Sequence, residues 1–162
     1  MKTNKMSKVL IALDYGPTAQ KVAETGFALA SAMGAEATLL HVISDSVYYY
    51  SSNEYSPIMG FTGYMGMDTL QLNNAEVLKE ASMHFLEKSK HHLGDESIKT
   101  LVKEGALAES ILKAAKEMHA DVIVIGSHSR KWLESIVMGS VTEKVLQDSN
   151  VPLFIIPTRK HV

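Results

Sequence analysis

A chain of 162 residues, 46% hydrophobic and 21% charged, has the size and composition of one ordinary globular domain with a core of its own. Sixteen basic against 18 acidic residues leave a net charge of −2, so no bulk positive field draws in nucleic acid or an anionic membrane. Cysteine is absent, which excludes disulfides, thiol catalysis and thiolate metal sites, and no apolar run approaches the length of a membrane span.

Lys2 and Lys5 precede an apolar run of only Val9–Leu13, too short for a secretory core, so a cytoplasmic protein is expected. Val9–Leu13 reads as the first strand, with Asp14 at its carboxyl end. Tyr15-Gly16-Pro17-Thr18 is a turn, and Pro17 suits the first turn of the helix that follows. Val22, Gly26, Leu29, Ala30 and Met33 recur at helical spacing, and Gly34 supplies a left-handed stop. Glu36–Ile43 is a second strand. His41 inside it reads as a core histidine with satisfied hydrogen bonds.

From Ser44 to about residue 68 no period is visible, and this insert holds five of the six tyrosines together with Met59, Met65 and Met67. Three readings stand for it: a disordered or partly ordered insert, a lid over a ligand, or a partner surface. Asp68-Thr-Leu-Gln71 has the form of a helix cap, ahead of a stripe of Leu78, Ala81, Phe85 and Leu93 that ends at Gly94. His84, His91 and His92 fall near one face of this helix with Glu87, a solvated face or a surface metal site. Ser97–Glu104 reads as a lysine-bearing edge strand, and a third helix turns Leu107, Ile111, Ala114, Ala115 and Met118 inward.

The stretch from Asp121 to Ser140 organises the remainder. Val122–Ile125 is a strand buried on both faces, broken by Gly126-Ser127-His128-Ser129. After a connector, Gly139-Ser140 opens a helix that runs to about Asp148, and Ser140-Val-Thr-Glu143 fits a capping box. Amides exposed at such a helix start attract anions, so two small-residue bends make a phosphate cradle. Leu153–Ile156 is a fifth strand, bracketed by Pro152 and Pro157. Five strands alternating with four helices in one domain (1–162) give a three-layer α/β/α sandwich on a parallel sheet, Rossmann-like in kind, whose ligands bind at the carboxyl ends of the strands where strand order reverses.

Gly126-x2-Ser129-x9-Gly139-Ser140 resembles the nucleotide motif of the universal stress protein family, Gly-x2-Gly-x9-Gly-(Ser/Thr), with Ser129 in place of the second glycine. The resemblance runs on through Lys8–Asp14, Leu39–Val42 and Val151–Pro157. It implies the strand order 3-2-1-4-5 of the adenine nucleotide alpha hydrolase-like fold, which sets Asp14 and Gly126 across one crevice. It implies ATP. Asp14 itself reads either as a hard-oxygen ligand for Mg²⁺ or Mn²⁺ bridging the phosphates, or as a nucleoside contact or turn cap. The implied contacts are Ala12, Leu13 and Asp14 at the first strand end, Val42 through its backbone, and Ile125 and Gly126 at the ribose. Ser127, His128, Ser129 and Arg130 follow in the first bend, and Gly139, Ser140, Val141 and Thr142 in the second. Serine at a left-handed position costs on the order of 1 kcal/mol, so Ser129 weakens the site or marks its loss.

No paired carboxylates, nucleophile elbow or Walker lysine motif stands out, and no catalytic residue or resident metal site is assigned. The expectation is therefore a nucleotide-dependent stress-response module, with a nucleotide-free interaction protein of the same fold as its rival. An exposed edge at residues 153–156 invites pairing with a second copy, and the resemblance implies a homodimer built that way.

Overall fold

Five strands line up in parallel in the order β3-β2-β1-β4-β5 in the computed structural model of the chain, which describes residues 5–44, 75–127 and 139–158. The strands are β1 (Lys8–Ala12), β2 (Glu36–Ile43), β3 (Lys99–Glu104), β4 (Val122–Gly126) and β5 (Leu153–Ile156). Helices α1 (Ala19–Met33), α2 (Ala75–Leu93), α3 (Leu107–Glu117) and α4 (Ser140–Asp148) alternate with them. In the central pairings Val9 stands between Ala37 of β2 and Val122 of β4, and Ile11 between Leu39 and Val124.

The central strands are apolar because both of their faces are covered. Val9, Ile11, Leu39 and Val124 point into one layer with α1 and with Phe85 and Leu86 of α2. Leu10, Leu40, Ile123 and Ile125 point into the other, against Ile111, Ala114 and Ala115 of α3 and Val145 of α4. At Gly26 an added Cβ would lie 3.0 Å from Val124 Cγ1 and 3.1 Å from Ile11 Cδ1, so the missing side chain lets α1 approach the middle of the sheet. Gly34 ends α1 at φ 63°, with Gly34 N–H donating to the Ser31 carbonyl and Ala35 N–H to that of Ala30.

The start of β3 and the cap of α4 differ from expectation. Strand β3 starts at Lys99 rather than Ser97, because Asp95 takes both the Ser97 amide (2.8 Å) and its hydroxyl (2.6 Å) in a local turn. The capping box at Ser140 does not form: the cap position is Gly139, and no side-chain bond caps the helix. The chain turns one residue early because Gly139 gives its amide to the Ser127 carbonyl (3.0 Å) and takes the first helical bond, from Glu143, on its own carbonyl (2.9 Å). Helix α3 closes at His119, a non-glycine at φ 55° that no local signal announces. The insert beyond Ser44 and the cap proposed at 68–71 lie outside the described residues.

Candidate functional site

The chain runs outward from β1 to β2 and β3, then crosses back to β4 on the other side of β1. The carboxyl ends of β1 and β4 therefore diverge into loops that leave in opposite directions, which opens a crevice between them. A cavity of about 370 Å³ occupies this place. It reaches both faces of the sheet. On the α3/α4 side its wall is apolar, from Leu40, Val42, Leu107, Ile111, Ile125 and Val141; on the α1 side Tyr15, Thr18, Ala19, Val22 and Thr158 close it.

Of the residues expected at the site, Ala12, Leu13, Asp14, Val42, Ile125, Gly126, Ser140, Val141 and Thr142 all line this cavity. His128, Ser129 and Arg130 lie outside the described residues. Ser127 and Gly139 do not line the cavity themselves. They join the two bends: besides the Gly139–Ser127 bond, Thr142 Oγ1 donates to the Gly126 carbonyl at 2.8 Å. Both ends of the connector are thus hydrogen-bonded to each other, and the mouth of α4 is held at the end of β4. Ser140, Val141 and Thr142 occupy the first turn of α4, where N–H groups have no partner within the helix, and their residues face the cavity. The hydroxyl of Thr142, a residue 1% exposed, donates its proton to the Gly126 carbonyl and so ties the two bends together.

Asp14 is exposed at the rim, and its Oδ1 accepts the Gly16 amide at 2.8 Å. A Cβ on residue 16 would sit 2.8 Å from that oxygen, so glycine is what allows this tight turn. The turn-capping role is therefore realised. His41 is buried and donates from Nδ1 to the Leu13 carbonyl at 2.8 Å, in agreement with a core histidine, and its residue also lines the cavity. Its ring packs on Tyr15 at 4.2 Å between centroids, and Tyr15 packs on Phe85 at 4.8 Å. Because Ser82 donates to the Leu78 carbonyl, the Tyr15 hydroxyl is the donor in its 3.0 Å bond to Ser82, and it anchors the cavity wall to α2.

Thr158 carries no sequence signal, since it follows the last strand and belongs to no motif. It is 1% exposed, and its amide donates to Ser127 Oγ at 3.1 Å. A Cβ on Gly126 would meet Thr158 Cγ2 and Val22 Cγ2 at 3.1 Å, so glycine here makes room for two elements to close over the strand end. Leu107 and Ile111 show as inward in the helical period of α3, but the period does not reveal that they stand over the crevice.

Comparison with known proteins agrees with this architecture. The family model described as Universal stress protein family matches residues 6–157. Universal stress protein YxiE of Bacillus subtilis is 30% identical over 152 residues, spanning 93% of this chain and 98% of that protein. Universal stress protein MJ0577 of Methanocaldococcus jannaschii is 29% identical over 152 residues, spanning 92% and 93%. A solved structure of a protein named MJ0577 superposes with a TM-score of 0.69 at 27% identity, covering 97% of this chain and 99% of the other. A universal stress protein solved in complex with cAMP superposes with a TM-score of 0.62 at 14% identity, covering 95% and 98%.

Proposed function

This chain belongs to the universal stress protein family, and from that premise we propose that it binds ATP at the carboxyl ends of β1 and β4 and acts as a dimeric, nucleotide-dependent signalling module. The observation that carries the reading is the pair of bonds joining the two bends, Gly139 to Ser127 and Thr142 to Gly126, which hold the first-turn amides of α4 over a cavity of about 370 Å³. An adenine would lie against Val42, Leu107 and Ile111 near the Asp14 backbone, and the ribose against Ile125 and Gly126. Phosphates would meet the amides of Ser140 and Val141 and the Ser140 hydroxyl. A Mg²⁺ or Mn²⁺ accompanying the phosphates would find its hard oxygen ligand in Asp14. The cAMP complex of another universal stress protein is a ligand of the same class on the same fold.

We read the output as conformational rather than catalytic, in a cytoplasmic protein, because the sequence names no general base or nucleophile. For the dimer, β5 is a sheet edge on which Phe154 remains 38% exposed, with Leu146 of α4 47% exposed. The rival, a nucleotide-free interaction protein, is favoured by Ser129 standing where the family motif has glycine. The test is to purify the full chain without added nucleotide, denature it and examine the filtrate. Adenine absorbance with an ATP mass supports the proposal. An empty filtrate, together with an unchanged thermal midpoint in millimolar Mg-ATP, supports the rival.

A further inference from the structure

Among the described residues, Asp14 is the one fixed charge in the cavity wall, and it has the wrong sign for phosphate. We infer that Lys21, which belongs to no part of the nucleotide motif, supplies the positive charge that the ligand's phosphates meet; this rests on the nucleotide reading above. Lys21 is exposed on the first turn of α1, between Thr18 and Val22, both of which line the cavity. Its ammonium reaches across to the carbonyl of Pro157 at 2.6 Å. The next residue, Thr158, lines the cavity and donates to Ser127, which opens the first bend. Lys21 does not itself line the cavity, but the carbonyl that holds its ammonium belongs to the residue next to Thr158 in the cavity wall.

Two features single it out. Its partner is a neutral carbonyl, and among the described residues no carboxylate lies within ion-pair distance to compensate its charge. The position also opposes local stability: a cation in the first turn faces the positive end of the helix dipole, and α1 has no acidic residue there to offset it. A lysine that only solubilised the surface would gain nothing from this placement. An anion at the neighbouring cavity would relieve both, and a flexible ammonium can exchange a carbonyl for a phosphate oxygen by rotation of its stem.

The experiment titrates ATP and adenosine into the full-length chain freed of nucleotide, beside Lys21→Met and Lys21→Arg, with the thermal midpoint of each unliganded protein recorded. Lys21→Met is expected to weaken ATP about tenfold while adenosine stays within about twofold, and Lys21→Arg to recover most of the ATP affinity. A merely structural lysine, tying α1 to the end of β5, would lower the midpoint and weaken both ligands alike, and that outcome overturns the inference. So does ATP affinity unchanged in Lys21→Met. A wild-type chain that binds neither ligand overturns the nucleotide reading itself, and this inference with it.

Discussion

Thr142 concentrates the economy of the site in one side chain. Its buried hydroxyl binds the Gly126 carbonyl, so the residue links the strand end to the helix mouth. Replacing it with valine keeps the shape and leaves that carbonyl without its donor, at a cost of about 1–3 kcal/mol. Thr142→Val is therefore expected to lower stability in urea and to weaken ATP further than the stability loss alone, since the bends lose one of their two ties. Ser129→Gly, which restores the family motif, is expected to tighten ATP, and a titration showing equal or weaker binding would mean the serine hydroxyl contributes. His119 lies at φ 55° at the end of α3, exposed to solvent. His119→Gly is expected to stabilise by about 0.5–1 kcal/mol in chemical denaturation. These single residues divide the legible from the illegible. Gly126, Gly139 and Ser140 announce themselves through spacing. Thr158 and His119 do not, because burial and left-handed backbone are imposed there by packing that no local pattern encodes.

At the scale of elements, close approach and end-to-end ties set the frame. Gly26→Val would place atoms against Val124 and Ile11, where even a Cβ stands at 3.0–3.1 Å, and a loss of about 1–3 kcal/mol is expected from the displaced helix. At the opposite end of the sheet from the site, Asp121 accepts the amides of Ser7 (2.7 Å) and Lys8 (3.0 Å) just before β4. Those bonds hold its carboxyl below the ordinary carboxylate range, with the Ser7 amide contributing most. Because the folded value is the lower one, the unfolded chain takes up the proton first as pH falls. The stabilisation is complete above the ordinary carboxylate range and is lost as pH drops through it toward the folded value. Asp121→Asn should therefore flatten the acid limb of the stability curve and leave it unchanged in shape above neutral pH. Most elements were visible in periodicity, and all the strands and helices expected within the described residues are present. Their ends were less so: the Ser140 box reads well as a local motif but loses to the Gly139–Ser127 bond, which joins residues across the connector and so has no local signature.

For the whole molecule, the order β3-β2-β1-β4-β5 does two things at once: it opens the crevice beside β1 and leaves β5 as an edge. Alternation of strands and helices points to a parallel sheet, but the order itself came from resemblance, since apolar runs such as Val9–Leu13 and Val122–Ile125 carry no mark of their neighbours. The edge carries Phe154, and if the proposed dimer forms there, Phe154→Glu is expected to give monomers in sedimentation equilibrium with the proposed ATP binding unchanged. The proposed function depends on the crevice taking an adenine nucleotide. Calorimetric titration of the nucleotide-freed, folded full-length chain with Mg-ATP measures this directly: saturable binding of about one nucleotide per chain, weakened by Thr142→Val, is the predicted result, and a flat titration at millimolar ATP would contradict it.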